Sequence, residues 1–571
     1  MRFSLIALAL ATTPALADPF PLAAGFARDL PVVATHGMVA SQEARASRIG
    51  LEFLKAGGNA VDAAVATAFA LSVTLPRAGS LGGGGFMLVH LAKEHKTIAL
   101  DYRETAPLDM PRDVFLDDKG DFDPRISQQG PRGIGVPGIV AGLALALEKY
   151  GSGKFTLAQA IAPAIKLARE GMEVDETTAN IPVSDAARLA RFPSTAKIFM
   201  HADGSFHKRG ELLVQSDLAA TLEAIAAGGA AAFYTGPEAE KLAASVQAFG
   251  GKMTAEDIAA YTAVERAPVM GSYRGHAIAS MPPPSSGGTH VVQILNVLEG
   301  FPLADLGQNS AAALHLMAES MKLAYADRSK YLGDPNFTHV PVAGLTSKKY
   351  ADELRAKIDP DKARPSKDIA PGNPIPYESD QTMHFSVIDG EGNGVSCTQT
   401  LNFFYGVGLV AEGTGVLLNN ELDDFAAKPG APNAFGLLGG EANAPAPRKR
   451  PLSSMSPTLV FSPEGSLEIA TGSPGGSRII TVVVQIIADA LDFNLNAAES
   501  VQSPRIHHQW LPDVLRVERG LSPDTIAALK AKGQNVTPSE TLGTAVTIFR
   551  SNGVLTGASD NRQPDHLAVG F

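Results

Sequence analysis

The sequence predicts an α+β fold in which layers of helices cover sheets. Three observations carry that expectation. Alanine-rich helical patterns dominate the early and middle chain. Strand patterns dominate after about residue 356, and no regular strand–helix alternation of the Rossmann kind joins the two regions. The run Leu81-Gly82-Gly83-Gly84-Gly85-Phe86 leads into a strand and not a helix, so it is no dinucleotide fingerprint.

In chain order, Arg2, the apolar run Leu5 to Ala11 and Ala15-Leu16-Ala17 read as a cleaved secretory signal over 1–17. The run is too short to span a bilayer, and no later segment is long enough to do so. A mature start near Asp18 and a periplasmic or secreted location follow. From Ser41 to Thr74 the pattern is helical: Ser47 to Lys55 stops at Ala56-Gly57-Gly58, and Asn59 caps the next, alanine-rich helix. Strands are expected at Met87–His90 and Thr97–Tyr102, and helices at Leu157–Glu170 and Ser216–Ala227. Leu314, Met317, Met321, Ala324 and Tyr325 mark a buried helix face. Pro282 to Gly288 reads as a rigid loop, and Ala356 to Tyr377, charged and proline-rich, as an exposed or mobile segment. Strands follow at Thr382–Ile388, Val395–Leu401, Gly415–Leu418, Leu459–Phe461, Leu467–Ala470 and Ala545–Phe549, interrupted by a helix over Ile479–Leu491.

The single cysteine, Cys397, rules out an intrachain disulfide, so stability must come from the large core that 45% hydrophobic content permits. Length alone suggests about three or four domains. A net charge of -11 argues against nucleic acid or an anionic membrane as partner. Small anionic substrates would need local arginines. No cluster of histidines and acids has metal-ligand spacing; His507-His508 reads as an exposed loop pair or a core pair.

Two stretches carry chemistry. In S-D-Q-T-M-H-F-S-V-I (379–388), Thr382, His384 and Ser386 alternate with Met383, Phe385 and Val387. Folding the following glycine-rich turn about Glu391 sets Thr382 opposite Thr400, with a slip by one position left open. Such a pair is either ordinary strand structure or a juxtaposed set of reactive hydroxyls near Asn402. Thr471-Gly472-Ser473-Pro474-Gly475-Gly476-Ser477-Arg478 joins a strand to a helix N-terminus. That arrangement offers backbone N–H groups to an anion, or is simply a turn that needs glycines.

In this order and spacing, these stretches and several others resemble the gamma-glutamyltransferases (gamma-glutamyltranspeptidases) of the N-terminal-nucleophile hydrolase superfamily. The further markers are Leu81 to Met87, Asp101-Tyr102-Arg103-Glu104-Thr105-Ala106-Pro107, Pro283 to Gly288, Leu417-Leu418-Asn419-Asn420 and Arg450 to Thr458. The resemblance spans essentially the whole mature chain. It implies a four-layer αββα sandwich, formed jointly by a large chain (18–381) and a small, catalytic chain (382–571) after self-cleavage between Gln381 and Thr382. It implies that Thr382 is the nucleophile, that Thr400 orients it and that the Gly475 and Gly476 amides hold the oxyanion. It assigns Arg103, Ser453 and Ser454 to the substrate α-carboxylate, and Asn402, Glu421 and Asp424 to the α-ammonium. Pro429 to Pro451 resembles a lid loop with Phe435 as its aromatic gate. The implied substrates are glutathione and glutamine, with water, amino acids or dipeptides as acceptors and no cofactor or metal.

Glu421 is the acidic choice where family members carry Gln or Glu. Met383 and Phe385 replace a frequent Thr and Tyr, and both are expected on the apolar side of the strand. Two rival functions are an amidase or cephalosporin (glutaryl) acylase on the same fold and a non-processing periplasmic solute-binding or scaffold protein. Asp424 and the lid favour γ-glutamyl substrates, because a glutaryl group has no ammonium to pair. Thr382, Thr400 and the glycine pair argue against an inert scaffold.

Overall fold

The computed structural model describes residues 30–372, 383–428 and 440–571. Two seven-stranded sheets form its centre. The chain before residue 381 supplies β1 (Val32–Ala34), β2 (Gly37–Ser41), β3 (Gly84–Leu91), β4 (Lys96–Tyr102), β5 (Val264–Arg266), β6 (Val269–Tyr273) and β7 (His276–Ser280). The chain after it supplies β8 (Met383–Asp389), β9 (Gly394–Thr400), β10 (Thr458–Phe461), β11 (Leu467–Gly472), β12 (Val546–Ser551), β13 (Val554–Ser559) and β14 (Leu567–Gly570). One sheet has the order β14-β2-β8-β9-β3-β4-β5, the other β1-β13-β12-β11-β10-β7-β6. Both draw strands from both halves of the chain, so the length-based expectation of three or four domains does not hold.

Side-chain alternation fixes the layers. In the first sheet, Val39, Met87, Val89, Leu100, Met383, Phe385, Val387, Val395 and Cys397 face one helical layer. That layer contains α1 (Ala44–Lys55), α2 (Ala60–Thr74), α3 (Ile139–Tyr150), α4 (Leu157–Glu170) and α5 (Ser216–Gly228). Met38, Ala40, Phe86, Leu88 and Ala99, on the opposite face, join the core shared with the second sheet. The far side of that core is closed by α6 (Gly287–Leu298), α7 (Ala311–Tyr331) and α8 (Arg478–Leu491). Helix, sheet, sheet, helix is the expected αββα stack. Met383 and Phe385 lie on its apolar helix side, as expected.

α2 is buried from Ala60 to Thr74, which suits its nearly unbroken apolar sequence. Its start is the expected one. Asn59 Oδ1 accepts from the Val61 and Asp62 amides at 2.9 and 3.1 Å, while Asp62 Oδ2 accepts from the Asn59 amide at 2.8 Å. The described part of the segment after Ala356, 356–372, is largely exposed, as expected, but it is anchored by a few buried residues. Ile358, Ala363 and Ile369 are buried, and Trp510 Nε1 donates to the Ser366 and Ile369 carbonyls at 2.9 and 3.1 Å. Apolar residues five and six positions apart anchor it despite its charge. His507 and His508 are buried core residues. No helix among the described residues is long and apolar enough to cross a membrane.

Candidate active site

The β8–β9 hairpin pairs Met383 with Gln399 through to Ile388 with Gly394. This is the register that the turn about Glu391 predicts, without the slip. Gln381 and Thr382 lie outside the described residues, as does Phe435. The hairpin face carrying His384 and Ser386 meets the second sheet: Ser396 Oγ donates to the Thr471 carbonyl at 2.9 Å, and Gly472 leaves room for the His384 ring. His384 is held between two hydroxyls, Nδ1 with Thr398 Oγ1 at 2.9 Å and Nε2 with Ser386 Oγ at 3.1 Å. Burial pushes its pKa down to about 3, so the imidazole is neutral.

At the end of β9 the chain turns sharply. The Asn402 amide donates to Thr400 Oγ1 at 2.7 Å, and Asn402 takes φ 68°, a left-handed value that asparagine tolerates better than most residues. Asn402 Nδ2 donates to the Asn420 carbonyl at 3.1 Å, while its buried Oδ1 has no hydrogen-bond partner among the described residues. The tetraglycine lies beneath this turn. A Cβ at Gly83 would stand 2.0 Å from the Thr400 carbonyl oxygen, and one at Gly84 2.3 Å from Glu104 Oε2. The glycines therefore let β3 pass directly under two site residues.

Gly475 and Gly476 sit between β11 and α8 with φ 125° and 74°. Such positive values favour glycine. A cavity of about 230 Å³ opens here, lined by Gln42, Arg77, Phe404, Gly475 and Gly543 among others. Gln42 Oε1 also accepts from the His384 amide at 2.9 Å, so the cavity reaches the start of β8.

The second half of the site is a buried charge cluster. Arg103, just past β4, is fully buried. Its guanidinium bonds Glu421 through Nη1 and Asp424 through Nη2, and it donates to the Pro451 and Leu452 carbonyls at 3.0 Å each. Glu104 Oε2 lies 3.9 Å from Nη1. One cation thus faces three acids in a dry site. Burial works against the Arg103 charge, but Glu421 and Asp424 outweigh it and raise its pKa. Burial pushes Glu104 up to about 7 against the pull of Arg103, and pushes Glu421 well above the usual carboxylate range. Asp423, bonded by Ser127 Oγ, also rises to about 7 through burial. Asp423 and Asp424 are both buried in a short 3-10 turn, Glu421–Asp424.

Ser453 and Ser454 adjoin the cluster through Pro451 and Leu452. The Ser453 amide donates to the Pro284 carbonyl at 2.8 Å, and its Oγ accepts from the Met455 amide at 3.1 Å. Ser454 Oγ is bonded by Arg328, a buried arginine of α7. The base of the expected lid is pinned to the same place, with Asn443 Nδ2 donating to the Asp424 carbonyl at 2.7 Å. The fold thus gathers Arg103, Glu421, Asp424, Ser453 and Ser454 around one chain crossing, with Asn402 joined to it through Asn420. Glu104 and Arg328 are the members that sequence reasoning missed. Their only signals were an acid beside the arginine in a quoted motif and an Asp327-Arg328 pair on a helix that also carries Glu319 and Lys322.

A sequence model described as Gamma-glutamyltranspeptidase matches residues 46–570. The Glutathione hydrolase proenzyme of Escherichia coli (strain K12) is 51% identical over 554 residues, covering 96% of this chain and 95% of that one. Among solved structures, Helicobacter pylori gamma-glutamyltranspeptidase shares 44% identity at a TM-score of 0.57, covering 60% of this chain and 96% of that one. Cephalosporin acylase from Bacillus halodurans has the same fold at a TM-score of 0.85 and 28% identity, covering 98% and 99%. On the strength of a match across 46–570 and half its residues shared with a full-length relative, this chain belongs to the gamma-glutamyltranspeptidase family.

Proposed function

We propose that the chain is a self-processing γ-glutamyl transferase and hydrolase acting on the γ-glutamyl amide of glutathione and related compounds. The observation that carries the reading is the buried Arg103 ringed by Glu104, Glu421 and Asp424. A guanidinium surrounded by three acids is suited to a zwitterionic α-carbon. The substrate carboxylate takes the guanidinium fork, and the ammonium takes the carboxylates thereby released. A glutaryl group lacks the ammonium, and 51% identity to a glutathione hydrolase proenzyme against 28% to a cephalosporin acylase points the same way.

In maturation, Thr382 Oγ attacks the Gln381 carbonyl carbon and the acyl group moves from nitrogen to oxygen. Water then hydrolyses the ester, leaving 18–381 and 382–571 as a heterodimer whose interleaved strands hold it together. Cleavage frees the Thr382 α-amine, with an unperturbed pKa of about 8, to serve as general base for its own hydroxyl. His384, its pKa lowered to about 3 by burial and both ring nitrogens hydrogen-bonded, is too weak a base to compete. In turnover, Thr382 Oγ attacks the γ-carbonyl, the Gly475 and Gly476 amides stabilise the oxyanion, and Thr400 orients the nucleophile. The γ-glutamyl ester passes to water or to the amine of an amino acid or dipeptide entering by the cavity beside Gly475. The signal over 1–17 fits a periplasmic or secreted enzyme.

The acids predict a pH signature. Glu104 titrates at about 7 and Glu421 is raised well above the usual carboxylate range, so the free site loses negative charge, and grip on an ammonium, as pH falls through about 7. The expected result is a kcat/KM for glutathione that rises with pH through about 7. In kcat the step should weaken, because the bound ammonium holds the acids ionised. Steady-state kinetics on glutathione and glutamine, with and without glycylglycine, measure both. An identical acid limb in kcat and kcat/KM would count against ammonium recognition by these carboxylates.

A further inference from the structure

The stretch Phe199-Met200-His201-Ala202-Asp203-Gly204-Ser205-Phe206-His207-Lys208-Arg209-Gly210-Glu211 follows the short helix Pro193–Phe199. Its backbone closes on itself. Met200 bridges Phe206 in antiparallel fashion, the His201 amide donates to the Ser205 carbonyl at 2.7 Å, and Gly204 takes φ 85° to make the turn. A second turn follows. The Glu211 amide donates to the Lys208 carbonyl at 3.0 Å, and the Lys208 amide donates to Glu211 Oε2 at 2.8 Å. The Val174 amide then ties the Glu211 carbonyl to the neighbouring chain at 2.8 Å. These bonds fix where His201, His207 and Glu211 stand before any ligand arrives.

We propose that His201, His207 and Glu211 bind a divalent transition-metal ion of the zinc type. Their candidate ligand atoms all lie within 4.8 Å of one another. His201 Nε2 is 2.8 Å and His207 Nδ1 3.5 Å from Glu211 Oε2, and the two rings meet edge to face at 4.4 Å. Donors around a tetrahedral zinc, each about 2.0–2.2 Å from it, stand about 3.4 Å apart, so small side-chain rotations suffice. His207 Nδ1 is shielded from water and has no hydrogen-bond partner among the described residues, which leaves a buried nitrogen for the ion to satisfy. Two imidazoles and one carboxylate select zinc, copper(II) or nickel(II) over magnesium or calcium, which prefer all-oxygen sites. The partly exposed position leaves a fourth site for water.

The site shares no residue with the Arg103 cluster, and its role is that of a clip. It joins the turn after Pro193–Phe199 to the strand Leu212–Leu213, and that helix buttresses the chain beyond Asn402. Thr195 Oγ1 donates to the Gly408 carbonyl at 2.8 Å, and Phe199 packs edge-on against Tyr405. Sequence reading missed the cluster because spacings of six and four residues, in a loop with no regular period, acquire ligand geometry only through the two turns.

The test titrates metal-stripped, processed protein with Zn²⁺ by calorimetry and follows thermal unfolding with and without it. Wild type should take up one zinc per chain saturably and unfold at a higher temperature with zinc. His207→Ala and the near-isosteric Glu211→Gln should bind at least about tenfold more weakly, since even an outer-shell loss costs about 10–100-fold. Both should keep γ-glutamyl hydrolase activity, which certifies their fold. Absence of saturable uptake by wild type, or wild-type affinity in both variants, overturns the proposal.

Discussion

Thr382→Ala is expected to remain a single polypeptide of full mature mass on a denaturing gel and to release no product from γ-glutamyl-p-nitroanilide. One hydroxyl has two tasks in this account, cutting the chain and carrying the γ-glutamyl group, so its loss removes both. Deleting the nucleophile of a hydrolase whose groups act as a unit costs on the order of a million-fold in kcat. Neither His384 nor Cys397 offers a substitute: both ring nitrogens of His384 are hydrogen-bonded, and Cys397 points to the helix side, its thiol pKa raised by burial. A Thr382→Ala protein that still yields two chains would remove the assignment at a stroke.

Arg103→Gln should be the costliest change in the binding half. Glu104, Glu421 and Asp424 would face one another in a dry site without their cation, and breaking such a pair from one side costs about 3–5 kcal/mol. The unfolding midpoint in urea should fall accordingly. In whatever fraction folds, kcat/KM for glutathione should drop by on the order of a hundred- to a thousand-fold, because truncating one partner of a buried charge pair costs about 2–5 kcal/mol. Normal stability together with normal kcat/KM would show that the guanidinium neither balances the acids nor holds the substrate.

Local rules made much of this legible in the sequence. The β8–β9 register follows from counting outward from Glu391, and the start of α2 follows from Asn59 and its capping box. Non-local pairing was harder. β2, Gly-Met-Val-Ala-Ser over 37–41, is a buried strand between β14 and β8, yet in the sequence its last residue reads as the opening of a helical stretch. β5 is only three residues long, and its one partner, β4, lies far earlier in the chain. The site divides in the same way. Arg103, Asn402, Glu421, Asp424, Ser453 and Ser454 were named through motif order, and the fold brings them together. Glu104 and Arg328 look like surface charges until burial is known, and burial is a property of the assembled layers. The anchoring of 356–372 was hidden for the same reason, since three apolar residues in a charged segment decide it.

The central claim is that the bond between Gln381 and Thr382 is cut by the protein itself and that Thr382 becomes a chain terminus. Purified wild-type protein, incubated without protease, should be analysed by intact mass and N-terminal sequencing. The account predicts two chains, the smaller beginning Thr-Met-His-Phe-Ser and ending at Phe571. A single intact chain with full activity, or a small chain beginning at any other residue, would contradict it.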